Sequence, residues 1–521
     1  MTDSIKEKTT NAIKHTFIFK SLGQICGIIA TILLVRALSE NDYGIYNLLY
    51  SIIGLIGTIA SLGIGNTLQR YIPEYYQKGE FKIAHNLFRM TSAIRLLADA
   101  AVLGFILLFW QEIAPVLKID QYKSFFMLFS LVIIVYQQRN ILEICLSSYF
   151  LHKYSKSIAV LFSMIKAVGY GLIIIFNKNL WYVIIIDLSA NLLTFALFQI
   201  VYFNKIPVNG GSIEGLSRQE KKRVTRYALF YNFNDSGVGL LNSDFDNFII
   251  VMFLNPAAVG AYAFCVQLSI QISSILPLKY LKDVIKPAFF SIGAASKDEN
   301  TPRFLFQSLV KINSLFAIPC FFFLLLYSDD MINFLFNSKF IEYASVLTGI
   351  FFFTILNSIP FGTMAQLRER ADIILYSKIF AVYNLIADIV LIKLFGIWGA
   401  VFATGTATMG KNGFIWYFVR KDTSFKGMGS FFIKIILFWT VLSFGINTLA
   451  SLISPPPALY QLIFGIIMFT SGFFLQFKSN YFNDYEKKIL KNLSDKKPRL
   501  ARFFKILKLL PPENFNLTEK H

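Results

Sequence analysis

Apolar positions run along this chain in near-continuous blocks, such as FILLFW at 105–110 and FFFLLL at 321–326. The blocks sit in windows close to the ~20 residues needed to cross a ~30 Å hydrocarbon layer. Windows can be placed at 16–38, 43–65, 87–110, 124–147, 156–176, 180–203, 227–250, 257–278, 304–327, 342–363, 372–392, 397–419, 435–452 and 459–477. The fold class this predicts is an all-α polytopic membrane protein with about 14 transmembrane helices.

Composition excludes the soluble alternative. A length of 521 residues would otherwise suggest three or four globular domains. Hydrophobic residues are 55% of the chain and charged residues 16%, where about 25% charged is usual. The mean hydropathy is +0.55, and water cannot solvate such a surface. Cys26, Cys145, Cys265 and Cys320 are far apart and all lie in apolar segments, so neither a disulfide framework nor a thiolate metal site is encoded. His15, His85 and His152 join no catalytic constellation. Intrinsic redox, zinc and haem chemistry drop out, and no metal site or cofactor is expected.

A net charge of +19 could be the footprint of a nucleic-acid binder, so the distribution of basic residues decides. Of the 50 Lys and Arg, 38 fall in the N-terminal segment, the alternate connections and the tail, 5 fall in the other connections, and 7 lie within spans. That split is the positive-inside signature, and it places both termini in the cytoplasm with no nucleic-acid partner. Lys6, Lys8 and Lys14 resemble the basic start of a signal peptide, but no small-residue cleavage site follows, so the first span is expected to be retained as an anchor. External connections are short and leave no room for a folded domain.

The organisation expected is a cytoplasmic segment at 1–15, a six-helix lobe at 16–203, a linker at 204–226, a second six-helix lobe at 227–420, two further helices at 421–477 and a basic tail at 478–521. The linker is rich in Gly, Ser and charge. An internal repeat supports the division. VRALSENDYGIY (35–46) and VMFLNPAAVGAY (251–262) share Val35/Val251, Leu38/Leu254, Gly44/Gly260 and Tyr46/Tyr262, each offset by 216 residues. Both copies occupy the external turn after the first span of a half, which describes a parallel repeat about an axis along the membrane normal. In the tail, ARFFKILKLL (501–510) spaces Arg502, Lys505 and Lys508 among large apolar residues. It reads either as an interfacial amphipathic helix or as disordered chain.

VRALSENDYGIY with LGIGNTLQRYIPE (62–74), DNFIIVMFLNPAAVGAY (246–262) and FGIWGAVFAT (395–404) resembles the recurring segments of the bacterial polysaccharide transporter family. That family belongs to the multidrug/oligosaccharidyl-lipid/polysaccharide superfamily of flippases and antiporters. The resemblance covers residues 15 to about 420. It implies a flippase of the bacterial plasma membrane that moves an undecaprenyl-pyrophosphate-linked oligosaccharide to the outer leaflet by alternating access. Membrane lipids and polysaccharide assembly proteins are the partners implied.

Such a cargo needs polar walls and cations within the bilayer. In the first half the spans carry Lys20, Arg36, Arg95, Arg139 and Lys166 against Asp99, Glu143 and Asp187, an excess of +2; the second half carries Lys311 and Lys411 against Asp235, Asp244, Asp246 and Asp388, an excess of −2. Arg95, Arg139, Lys166 and Lys20 are therefore the substrate-binding candidates. Against this, Arg95 with Asp99 and Arg139 with Glu143 are i, i+4 pairs that suit plain structure. Lys166 has no local acid and is expected to pair across helices with Asp187, and Lys20 suits snorkelling. The seventh window holds Asn232, Asn234, Asp235, Ser236, Asn242, Asp244 and Asp246. These oxygens suit coupling to Na+ or H+ at Asp235, Asp244 or Asp246, or a helix that lines a wet cavity. Arg36, at the external end of the first span, is a candidate external gate with Asp246 or Asp244; the alternative is snorkelling. GTATMGKN (405–412) matches a phosphate loop only up to Lys411, and small residues at a helix contact explain it better.

Three functions compete: the flippase, a multidrug cation antiporter, and a membrane-embedded polysaccharide polymerase or acyltransferase. The basic first lobe favours the first over the second, and the lack of a catalytic constellation disfavours the third.

Overall fold

The computed structural model describes residues 2–176, 179–206, 217–239, 243–280, 301–421, 427–452 and 458–477, with 423, 425, 481, 482 and 487. Among the described residues the regular structure is all helix, in line with the expected class. Nine helical stretches there are long and apolar enough to cross a membrane. The other five windows also fall on helices, the first on the apolar Ser21–Ala37 stretch. Residues 207–216 of the linker and the segment at 501–510 lie outside the described residues.

The first part of the chain forms α1 (Thr2–Ala37), α2 (Glu40–Ile59), α3 (Ile64–Gln77), α4 (Phe81–Leu108), α5 (Trp110–Val116), α6 (Lys123–Ser148), α7 (His152–Phe176) and α8 (Leu180–Lys205). α2 starts where Ser39 Oγ accepts the backbone N–H of Asp42 at 3.1 Å, with Glu40 and Asp42 complementing the helix dipole. It ends before Leu62 and Gly63, both in the left-handed region. α1 packs along α7, α6 lies against α8, and α7 against α8. Leu68, Tyr75, Leu87, Leu142 and Phe198 form the buried core among α3, α4, α6 and α8.

The seventh window falls on two helices, α9 (Arg218–Gly239) and α10 (Ser243–Phe253), followed by α11 (Pro256–Ser274) and the short α12 (Pro277–Tyr280). α9 packs against α2 and α3, and α10 against α2. Then come α13 (Thr301–Phe336), α14 (Ala344–Asn357), α15 (Phe361–Leu367), α16 (Ala371–Tyr376), α17 (Ile379–Phe395), α18 (Ile397–Val419), α19 (Gly429–Leu452) and α20 (Ala458–Gln476). The tenth window is divided between α14 and α15 because Pro360 lacks the N–H a continuous helix needs.

Contacts group Met1–Phe264 with Leu385–Ala400 in one compact unit, and Cys265–Asn384 with Val401–His521 in another. Packing thus divides the chain elsewhere than the repeat does, since α9 and α10 lie against α2 and α3. In the second unit the last two helices dock on α13 through a buried amide. Trp439 Nε1 donates to Gln476 Oε1 at 3.1 Å, and Gln476 Nε2 donates to the Leu315 carbonyl at 3.0 Å. Phe306, Met364 and Ile435 pack around that junction's core.

Candidate functional site

In the first unit, helical spacing brings one set of polar groups together at membrane depth. Tyr46 and Tyr50 are one turn apart on α2, and Phe162, Lys166 and Tyr170 repeat every four residues on α7, so each set shares a face. They meet Asp187 of α8, which is 0% exposed. Lys166 Nζ lies 3.0 Å from Asp187 Oδ1, so the cross-helix pair expected from the sequence is formed. Lys166 also donates to Tyr50 at 3.2 Å and Tyr46 at 3.3 Å. Those hydroxyls in turn donate to Asp187 Oδ2 at 2.7 and 2.8 Å, and Tyr170 donates to Oδ1 at 2.5 Å. The ammonium thus has two hydrogen bonds and an ion pair around it. The carboxylate is likewise surrounded.

Arg139 of α6 is placed differently. Its i, i+4 acid does not hold it: Glu143 pairs with Lys156 of α7 at 3.1 Å, because the neighbouring helix offers a nearer cation than the same helix does. The guanidinium stacks on Phe162 at 4.1 Å and lies over Tyr136 at 5.3 Å. It is 7% exposed, and its Nε has no hydrogen-bond partner. Phe162 also faces Lys166 at 5.4 Å, so one ring carries both cations. Arg95 of α4 does form the expected pair, with Nε 2.8 and 3.1 Å from the two Asp99 oxygens, but its Nη2 is buried without a partner. Lys20 lies in α1 and its side chain is outside the described residues.

A second group is acidic. Asp246 of α10 accepts from Tyr262 of α11 at 2.5 Å and is in side-chain hydrogen-bonding contact with Asp388 of α17. Two carboxylates brought together without a donor between them repel unless one is protonated or a cation lies close by. Next to it, Asn247 Nδ2 donates to Ser51 Oγ of α2 at 2.9 Å, and Asp244 lies over Gly54 of the same helix. Asn232 accepts from Ser61 at 2.7 Å. The side chains of Asn234, Asp235 and Ser236, and all of Asn242, are outside the described residues. Arg36 occupies the last turn of α1 and is half-buried. Lys411 lies in mid-helix on α18, so residues 405–412 offer no loop to cradle a phosphate.

Away from these groups, Glu74 of α3 binds Arg223 of α9 at 2.8 Å, Lys78 at 3.1 Å and Arg70 at 3.2 Å. The Arg223 guanidinium holds the Glu74 carboxyl below the usual glutamate range, and Lys78 adds to the effect.

The tyrosines around Asp187 and the Asp246–Asp388 contact were not foreseen. The first left a signal in the four-residue spacing of Tyr46 with Tyr50 and of Lys166 with Tyr170. The second left only two acids in distant spans.

Residues 33–345 match a family described as polysaccharide biosynthesis protein. The chain is 23% identical over 447 residues to a protein of Haloferax volcanii named "Probable low-salt glycan biosynthesis flippase Agl15", covering 84% of this chain and 89% of the relative. Among solved structures it resembles the lipid II flippase MurJ in an inward closed conformation, with a TM-score of 0.66, 14% identity and coverage of 89% of this chain and 98% of the other. It also resembles an inward-facing multidrug resistance MATE family transporter of the MOP superfamily, with a TM-score of 0.57, 16% identity and coverage of 78% and 98%. At those identities the likeness is one of fold.

Proposed function

Since the chain belongs to the polysaccharide biosynthesis protein family, we propose that it is a membrane flippase carrying a polyprenyl-pyrophosphate-linked oligosaccharide to the outer leaflet by alternating access. One observation carries the reading: Arg139 is buried at membrane depth with Nε unpartnered and no carboxylate within 4 Å among the described residues. An uncompensated buried cation is costly, and a structural role would place an acid beside it, as Lys166 and Arg95 have. A diphosphate supplies the missing partner through charge-assisted hydrogen bonds. The names of the relatives support the cargo class, and the MATE-like fold fits an antiporter as well. An organic cation, however, would be repelled at Arg139.

On this reading Arg139 is the principal phosphate ligand, with the open Nη2 of Arg95 second. Lys166 binds cargo only by leaving Asp187, and Lys20 meets the headgroup near the cytoplasmic surface. Coupling to H+ or Na+ falls to Asp246, now with Asp388 beside it, and Asp244 and Asp235 remain secondary candidates. Arg36 with Asp246 or Asp244 is the proposed external gate. Both termini are placed in the cytoplasm, and polysaccharide assembly proteins are the proposed partners.

Native mass spectrometry of the purified protein tests the cargo. Wild type should retain undecaprenyl pyrophosphate-linked oligosaccharide, Arg139→Lys should retain part, and Arg139→Gln should bind on the order of tenfold or more weakly, as loss of a charge-assisted hydrogen bond implies. Retention of ethidium instead, strengthened by Arg139→Gln, would establish the antiporter.

A further inference from the structure

The two copies of the internal repeat meet each other in space. Gly44 of α2 and Gly260 of α11 are equivalent under the 216-residue offset, and so are Glu40 and Pro256, which open the two helices. A Cβ on Gly44 would overlap the carbonyl oxygen of Pro256 and come within 3.2 Å of the Gly260 nitrogen. On Gly260 it would come within 2.9 Å of the Glu40 carbonyl oxygen and 3.0 Å of the Gly44 nitrogen. Each glycine therefore touches the other and the first residue of the other's helix. That reciprocity is the signature of an isologous contact on a twofold axis.

The local structure on each side agrees. Ser39 Oγ accepts the N–H of Asp42 at 3.1 Å, and 216 residues later Asn255 Oδ1 accepts the N–H of Ala258 at 2.8 Å. Both helices thus begin with the same side-chain cap and enter the contact at the same turn. Tyr46 and Tyr262, two residues beyond the glycines, each donate to a buried aspartate, Asp187 and Asp246.

We propose that this backbone seam between the first turns of α2 and α11 is a contact of one transport state only, which parts when the external side opens. The two glycines set its depth. Backbones this close leave no room for a side chain, so a methyl group on either glycine penalises the closed seam and leaves the open one untouched. By differential stabilisation it shifts the population toward the open state. The inference rests on transport by alternating access but not on the nature of the cargo.

The test is a distance measurement on the full chain in lipid nanodiscs without cargo. Spin labels are placed at Glu40→Cys and Ala257→Cys, with the four native cysteines changed to alanine. Gly44→Ala should lower the ratio of short to long distances at least about tenfold, and Gly260→Ala should do so less, because its methyl overlaps less deeply. Gly27→Ala, which adds a methyl where nothing lies within 4 Å, should leave the distribution unchanged. A second measurement needs no glycine variant: bridging the two cysteines with a flexible bis-maleimide should abolish transport. Folded Gly44→Ala protein with an unaltered distribution, or bridged protein that still transports, would overturn the proposal. Failure to bind any glycolipid would instead count against the cargo assignment and leave the seam intact.

Discussion

Lys166 is ion-paired with Asp187 and hydrogen-bonded to two tyrosines, and Arg95 holds Asp99 through Nε while its Nη2 stays open, whereas Arg139 has a buried open donor and no acid within 4 Å among the described residues. The presence or absence of a paired acid separates structural cations from a binding cation more sharply than position in the span does. Asp99→Ala strands the Arg95 guanidinium and should destabilise the protein by about 3–5 kcal/mol, while Arg95→Ala with Asp99→Ala should recover most of that loss. Thermal unfolding in detergent, read alongside transport, checks both. If the neutral double variant is stable and still transports, Arg95 is structural and Arg139 carries the anion alone. The Lys166–Asp187 pair was legible in the sequence because a basic residue without a local acid had an acid at similar depth on the next span. The exchange of Glu143 from Arg139 to Lys156 was not legible. Spacing along one helix fixes which side chains share a face, but not which neighbouring helix that face meets.

Among elements, the α9–α10 pair is the most polar length at membrane depth, and its neighbours show why it is tolerated: Asn232 and Asn247 find hydroxyl partners at Ser61 and Ser51. In the first turns of α9 the Glu74–Arg223 contact ties that helix to α3. Because the folded protein holds the Glu74 carboxyl below its unfolded value, the contact contributes fully above the ordinary glutamate range and is lost as pH falls through the depressed value. Protection of the amides of residues 220–224, taken relative to the intrinsic exchange rate at each pH, should fall over that acidic window in wild type. In Glu74→Gln, which loses about 1 kcal/mol of surface ion pairing, their protection relative to the intrinsic exchange rate should be low and independent of pH. The helical character of this stretch followed from its apolar pattern. The topology expected from the basic connections is checked by single cysteines at 204–226 and 478–521. Both should resist an impermeant thiol reagent in intact cells, and labelling of both from outside would remove the fourteen-span topology.

On the scale of the whole molecule, the fold class and the repeat could both be read from the chain, since long apolar windows and a fixed offset leave direct traces. The compact units could not. They depend on α9 and α10 packing against α2 and α3, a long-range choice that no local pattern records. The acidic contact of Asp246 with Asp388, 142 positions away in the sequence, was hidden for the same reason. The central claim is that this chain carries a lipid-linked glycan outward, and mass spectrometry of lipid extracts from cells lacking it tests that most directly. Such cells should accumulate a polyprenyl-pyrophosphate-linked oligosaccharide at the expense of surface polysaccharide. The wild-type gene should clear it and the Arg139→Gln gene, at equal protein level, should not. Unchanged glycolipid pools and intact surface polysaccharide in the deleted strain would contradict it.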